Sequence, residues 1–298
     1  MTPGATALRT SAALVRPLPR GVFRLTGEKP LGYLHDVLAQ EVAGLGPGRG
    51  ALAAALSPKG RISAELRVLP MLNGSILIDA EPEARAGIEE RIGRHAGLAG
   101  CELEPLDVPV AALRGPQADE VLAAAGIPLP HRGEAMFVEQ QGLLVVRVEW
   151  GVPGFDLIGE PPGFDVLLAT FDELEDARIE AGRPRFGKDV DEDVLVNETP
   201  FLEHAVASDK GCYPGQESVA KVRTLGSVRR ELRALRSPSS QLREGAEVAL
   251  GADAIGRVTS AAALPDGGSA AIALLRSDAR PGTEVAADGV IATVESLT

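Results

Sequence analysis

From residue 62 to 68 the chain alternates strictly, with Ile62, Ala64, Leu66 and Val68 apolar and Ser63, Glu65 and Arg67 polar. A period of two puts the two sets on opposite faces of a strand, so residues 62–69 are predicted to lie in a sheet with one face in the core and one in water. Residues 22–25, 51–56 and 75–80 read as partner strands, and Ser57-Pro58-Lys59-Gly60 is a turn between two of them. The period lengthens to that of a helix at Leu31, Leu34, Val37 and Leu38. It does so again over 82–96, where Ala84, Ile88, Ile92 and Ala96 form one stripe. Residues 44–50 are a glycine-rich loop without the G-x-x-x-x-G-K-[ST] order of a phosphate cradle.

Strand and helix then recur. Residues 103–110 read as extended, Pro116 opens a helix through Ala125, and 136–140 with 143–149 form a hairpin around Gly142. A further helix is expected over 171–182, with Leu174, Ala177 and Ala181 inside and Gly182 and Pro184 ending it. Beyond Gly226 the pattern is one of short strands at 230–235, 247–250, 254–260, 270–275, 284–287 and 290–294, the signature of a small barrel. Residues 1–20, rich in Thr, Ala and Pro, read as a flexible arm. The layout is α+β with mixed or antiparallel sheets, ending in a small C-terminal β-barrel.

Composition narrows the function classes. Only 3% of the 298 residues are aromatic, so Ala, Val and Leu must fill most of the core. A net charge of −12 argues against a general nucleic-acid surface, and direct nucleic-acid binding is not expected. One local run is basic: Lys221, Arg223, Arg229, Arg230, Arg233, Arg236 and Arg243 against Glu231. It is either a solvated face or a site for an anionic group. Two cysteines, Cys101 and Cys212, form no C-x-x-C pattern, no zinc site and no complete set for an iron-sulfur cluster, so no metal ligands are assigned. His95 has no metal-ligating partner at helical spacing and reads as a surface residue. With no signal-peptide pattern and no apolar stretch near 18 residues, the chain is expected in the cytoplasm with no membrane partner.

The stretch 209–223 carries the most chemistry. It reads D-K-G-C-Y-P-G-Q-E-S-V-A-K-V-R, with Cys212 beside Lys210 and just before a predicted helix. A helix N-terminus and an ammonium both favour a thiolate, and Gly211 and Gly215 permit positive φ and close approach of a ligand. The same thiol also fits as a small apolar residue at a turn. Trp150, the only tryptophan, opens W-G-V-P-G-F-D-L and suits either stacking on a flat ring or a place at a strand end. Glu180, in A-R-I-E-A-G-R-P, could accept two adjacent N–H donors, or pair with Arg178 or Arg183.

The string K-G-C-Y-P-G-Q-E, residues 210–217, resembles the signature of the YgfZ family, folate-binding relatives of the glycine cleavage T-protein. R-x-E-x-G at Arg178–Gly182, G-x-x-G-F-D at 151–156 and N-E-T-P-F-L-E at 197–203 are similar to segments of the same superfamily. The resemblance implies a T-protein-like folate-binding fold of two interleaved α+β subdomains over 21–227, ending in that motif, with a β-barrel over 228–298. It implies tetrahydrofolate as cofactor, held by Glu180 with Trp150, Tyr213 and Arg223. It makes Cys212, biased by Lys210, a functional thiol within the motif Lys210, Gly211, Cys212, Tyr213, Gly215, Gln216 and Glu217. It also implies support of iron-sulfur cluster assembly or repair, with assembly proteins or client enzymes as partners and tRNA thiomodification affected indirectly. T-proteins carry G-G-I-x-D-D where this chain has Gly60-Arg61-Ile62-Ser63-Ala64-Glu65. Whether the protein catalyses a reaction is thus open, and a folate-dependent one-carbon transferase is the alternative.

Overall fold

The computed structural model describes residues 1–226, 228–239 and 241–297. The chain opens with helix α1 (Pro3–Thr10), capped by the Thr2 hydroxyl, which accepts from Ala5 N at 3.1 Å, and strand β1 (Ala13–Val15). The first twenty residues are therefore not a loose arm. Their small side chains let α1 press onto the protein: Gly4, Ala5, Ala7 and Leu8 are buried, and all three residues of β1 lie within a sheet.

Strand β2 (Gly21–Gly27) and helix α2 (Pro30–Val37) follow, then β3 (Ala51–Leu56), β4 (Ile62–Pro70) and β5 (Ile76–Ala80). With β6 (Cys101–Leu106) these strands form an antiparallel sheet in the order β3-β4-β5-β2-β6. Residues 82–99 cover it as a continuous but irregular helical stretch, in which α3 (Arg85–Ile88) and α4 (Arg94–Ala96) flank a π turn at Glu89–Gly93. Ala84, Ile88, Ile92 and Ala96 are buried on it, as their spacing predicts, and His95 is exposed.

The expected extended stretch at 103–110 is in fact a crossing between sheets. Leu106 still pairs with β2, whereas Val110 opens β7 (Val110–Arg114) in the second sheet, and Pro109 between them has no N–H for either ladder. That sheet also takes β8 (Phe137–Gln140), β9 (Leu143–Val148), β10 (Gly154–Ile158) and β11 (Leu167–Ala169), in the order β11-β1-β7-β10-β9-β8. Helix α5 (Ala118–Ala124) packs on it, and α6 (Phe171–Glu180) follows it. A capping box starts α6: Glu173 N donates to the Thr170 hydroxyl at 3.2 Å, and Thr170 N donates to the Glu173 carboxylate at 2.8 Å.

After α7 (Phe201–His204) and α8 (Gln216–Leu225) comes a closed barrel. Its strands are β12 (Arg230–Ser237), β13 (Glu247–Leu250), β14 (Asp253–Ala263), β15 (Ser269–Arg276), β16 (Glu284–Ala287) and β17 (Val290–Glu295), in the order β12-β15-β14-β13-β16-β17. Closure removes the sheet edges, and Leu235, Val248, Val258, Ala273, Val285 and Val294 fill the interior. Ser227, at the expected domain boundary, lies outside the described residues.

One difference matters for function. Strand β4 was expected to wet its polar face, yet Ser63, Glu65 and Arg67 are only 3–4% exposed. The apolar face packs in the core of the first sheet, while Glu65 and Arg67 meet residues of the second sheet and of α6 instead of water.

Candidate functional site

Residues two apart on a strand point the same way, so β4 delivers Glu65 and Arg67 to one side. Strand β7 brings Arg114 there, β10 brings Asp156, and the link between β1 and β2 brings Arg20. Glu81 follows β5, Glu175 and Arg178 come from α6, and Arg183 and Arg185 from the loop after it. Trp150, Phe171, Leu174 and Val148 supply apolar wall. Together they line a cleft between the two sheets with about 660 Å³ of empty space, mouth included.

The buried end of the cleft is an ion network. Arg67 reaches Asp156 at 2.6 Å and also pairs with Asp79; Arg114 pairs with the other oxygen of Asp156. Arg20 bridges Asp79 at 2.7 Å and Glu81 at 2.5 Å. Burial works against the charge on Asp156, but Arg114 and Arg67 outweigh it and hold the carboxyl far below the usual carboxylate range. Glu65 goes the other way. Burial raises its pKa, and Arg183, 3.4 Å away, offsets this only in part. Arg67 Nε and Arg114 Nη1 keep their N–H groups without a protein acceptor. A buried charged donor left unmet costs about 1–3 kcal/mol or more, and both of these atoms are fully buried.

Trp150 sits on the cleft wall and is already stacked. The His204 ring lies 4.0 Å from it at 19°, Phe201 meets it edge-on at 5.4 Å, and the Arg183 guanidinium is 4.9 Å from its ring centre. Arg183 also donates to the Trp150 carbonyl at 3.2 Å. Burial lowers the pKa of His204.

Glu180 does not line this cleft. It is the last residue of α6, and its carboxylate accepts from Arg9 Nε at 2.7 Å, pairing with α1 and not with Arg178 or Arg183. The reason is helical phase: Glu175 and Arg178, three apart, share the cleft side, and Glu180 is two residues further round. Arg178 instead binds Glu175 at 2.9 Å and Asp189 at 2.7 Å.

The motif 210–217 forms a second region, outside the lining of the cleft. Cys212 is exposed and free, and Cys101 is buried. Helix α8 begins at Gln216, so Cys212 lies ahead of Gly215, the N-cap, and outside the first turn where a helix terminus acts. Lys210 is buried, and its ammonium donates to the carbonyls of Leu38 at 2.8 Å and Gln40 at 3.2 Å and to that of His35. Burial lowers its pKa, while Glu41 and Asp36 oppose the change. All three donors serve the end of α2, so the expected bias of Cys212 by Lys210 has no contact behind it.

Tyr213 is buried with the Lys210 ammonium 5.6 Å from its ring centre, and Gln216 donates to the Lys210 carbonyl at 3.3 Å. Gly215 has φ +86°, and a Cβ there would lie 2.5 Å from the Ser57 carbonyl oxygen. The close approach it permits is to the protein's own turn, not to a ligand, and Gly211 has neither a positive φ nor a close neighbour. Glu217 and Arg223 are exposed on α8. The basic run is partly neutralised: Arg230 pairs with Glu198 at 3.0 Å, Arg233 with Glu231, and Arg236 with Glu295 at 3.8 Å.

Sequence reading passed over Arg20, Arg67, Arg114 and Asp156. The available signal was charge inside apolar strands, as in Val110-Ala111-Ala112-Leu113-Arg114 and Gly154-Phe155-Asp156-Leu157-Ile158. Among the described residues no group of three or more His, Cys, Asp or Glu could hold a metal ion, and no helix is long and apolar enough to cross a membrane.

Two interleaved sheets, a connecting cleft and a terminal barrel define the architecture of the glycine cleavage T-protein. The chain superposes on aminomethyltransferase T of the glycine cleavage system from Bartonella henselae with a TM-score of 0.85, covering 99% of this chain and 88% of that one at 22% identity. In sequence it is similar to the tRNA-modifying protein YgfZ of Pectobacterium carotovorum subsp. carotovorum (strain PC1), at 25% identity over 236 residues, 73% of this chain and 68% of that protein. The chain thus shares the T-protein fold and is similar in sequence to a YgfZ protein, the family that its K-G-C-Y-P-G-Q-E string resembles. A chloroplastic protein of Arabidopsis thaliana that carries a provisional transferase name is 22% identical over 260 residues, 80% of this chain. The match spans 59% of that relative's length. No family model matches the chain.

Proposed function

We propose that the protein binds a tetrahydrofolate in the cleft between its two sheets and supports assembly or repair of iron-sulfur clusters in other enzymes, with Cys212 as the thiol that acts. The observation that carries the folate reading is the cleft itself, where a buried carboxylate, orphaned buried donors and an aromatic wall converge. A pterin fits that chemistry. Its aminopyrimidine edge presents adjacent N–H donors, and Glu65 is a cleft carboxylate whose ion pair is long, leaving lone pairs to accept them. Phe171, Leu174 and Val148 would supply apolar contact to the ring. Bound tetrahydrofolate would supply a reduced pterin able to carry a one-carbon unit. The supporting role in cluster assembly draws on the YgfZ resemblance and on an exposed Cys212 in a turn anchored by Lys210 and Gln216. Effects on tRNA thiomodification would follow through cluster-dependent enzymes.

A second reading, a folate-dependent one-carbon transferase, is favoured by one observation. Glu65 has a raised pKa inside the cleft, which suits a group that holds and releases a proton.

An anaerobic calorimetric titration with tetrahydrofolate, followed in parallel by Trp150 fluorescence, tests the folate reading. Saturable binding is expected, weakened about tenfold, or 1.4 kcal/mol, by Glu65→Gln and left in place by Glu180→Gln. No binding by folded wild type overturns it. Cys212→Ser in a depletion strain tests the second half: folate binding should persist and support of cluster enzymes should be lost. Product formation from tetrahydrofolate and an amine donor would favour the transferase instead.

A further inference from the structure

We propose that the C-terminal barrel holds one wall of the cleft through Asp189, a positioning residue whose carboxylate joins Thr259 and Ser260 of β14 to Arg178 of α6 and to the backbone of Arg185. The wall in question is the one that carries Arg178, Arg183, Pro184 and Arg185. This rests on the cleft being the binding site proposed above, and it makes the barrel one of the parts that shape that site.

Three observations carry it. The first is the carboxylate. The Asp189 side chain is fully buried. One oxygen accepts from the Thr259 and Ser260 hydroxyls, both at 2.6 Å. The other accepts from Arg178 Nη1 at 2.7 Å and from the Arg185 backbone N–H at 3.0 Å. A carboxylate met in this way on both oxygens cannot turn without giving up a charge-assisted bond. The barrel therefore sets one oxygen, and the cleft wall takes its place from the other.

The second is a bulge. Val258 pairs with Ala273 and Ser260 with Ile272, so Thr259 is the extra residue of β14. In a regular strand residues 259 and 260 would point to opposite faces, and one carboxylate oxygen could not take both hydroxyls. The bulge re-aims the strand at this point. The Thr259 hydroxyl also lies 3.0 Å from the Ile272 carbonyl, but it has one proton to give, and Asp189 is the nearer and charged acceptor.

The third is how far the hold extends. Arg178 Nη1 also donates to the Arg183 carbonyl at 2.6 Å. The Arg183 guanidinium in turn lies over Trp150, 4.9 Å from the ring centre, and donates to the Trp150 carbonyl at 3.2 Å. Packing runs the same way, since Ile179, the residue after Arg178, is buried with Ala262 of β14 and Ala270 of β15. Helix α6 is thus held between the barrel and the cleft.

The test uses the full-length protein. Trp150 is the only tryptophan, so its quenching by acrylamide reads the Arg183 cover without any ligand. Thr259→Val with Ser260→Ala removes both hydroxyls at positions outside the cleft lining. Quenching should rise about twofold and the Kd for tetrahydrofolate about fivefold, the worth of roughly one net hydrogen bond. Thr259→Ser with Ser260→Thr keeps both hydroxyls and should behave as wild type in both measurements. Val285→Ala, inside the barrel, should lower the melting temperature and change neither, which a merely structural role of the barrel could not explain. Should the double deletion not fold, Ser260→Ala alone is held to the same criteria. Wild-type quenching after hydroxyl deletion overturns the proposal, and so does an equal change in Val285→Ala or a rise in quenching with an unchanged Kd. A folded wild type that binds no tetrahydrofolate sinks the folate reading separately, because the quenching comparison still decides whether the barrel holds the wall.

Discussion

The cleft and the K-G-C-Y-P-G-Q-E turn are built on opposite principles. In the cleft, polar side chains from six separated segments converge away from water, and the arginines and carboxylates that meet there still leave two donors unmet. In the turn, eight consecutive residues carry the recognisable pattern, yet four of them are buried or tied to the protein's own backbone. Lys210 closes the end of α2, Gln216 ties back to the Lys210 carbonyl, Gly215 lets the turn touch Ser57, and Tyr213 is buried. Cys212 alone among them is left both exposed and reactive in kind. A recognisable string is thus mostly scaffold for one thiol, while the region with the richer chemistry has no string at all.

If the cleft is a pinned ion network, the largest effect should come from removing its hub. Asp156→Ala leaves Arg67 and Arg114 charged, buried and without their shared partner, and should cost about 3–5 kcal/mol in urea denaturation. A loss below about 1 kcal/mol would mean that water already serves these guanidinium groups. In the turn, Gly215→Ala forces a side chain into a left-handed backbone and onto the Ser57 carbonyl, and about 2–4 kcal/mol should be lost. Lys210→Met removes the donors from three carbonyls and should cost about 1–3 kcal/mol. Lys210→Arg should not restore this, because a planar fork cannot replace a compact ammonium with three diverging donors.

A smaller effect separates the regions by pH. Burial raises the Glu65 carboxyl, so the native state takes up that proton more readily than the unfolded chain. The associated stability is present below the ordinary carboxylate range and is lost as pH rises through the raised native value. Glu65→Gln should therefore gain on wild type between acidic and neutral pH, and parallel melting curves that do not diverge would contradict this. Smallest of all, Cys212→Ser should stay within about 0.5 kcal/mol of wild type, since an exposed thiol contributes little packing. A larger loss would make Cys212 part of the scaffold and weaken its proposed role.

Much of the architecture was legible because it is local. The alternation over 62–68, the stripe Ala84, Ile88, Ile92 and Ala96, and the six short strands after residue 226 each specify an element from neighbouring residues. The arm was misread because a composition rich in Thr, Ala and Pro looks unstructured until a surface is there for α1 to cover. The polar face of β4 was misread for the same kind of reason. Alternation says that Glu65 and Arg67 leave the first core, but not whether water or a second sheet awaits them.

The amino-acid sequence determined the elements, the terminal barrel and the one exposed thiol's place in a turn, since these depend on period, turn chemistry and contiguous motif. Tertiary packing decided which charges face each other. Arg20, Arg67, Arg114 and Asp156 lie far apart along the chain and carry no shared pattern, and their pairing exists only because two sheets and α6 close around them. Packing also turned Glu180 toward Arg9 and Lys210 toward α2. The direction of a side chain at a helix end, or of a lysine near a cysteine, follows from which partners the fold brings within hydrogen-bond reach.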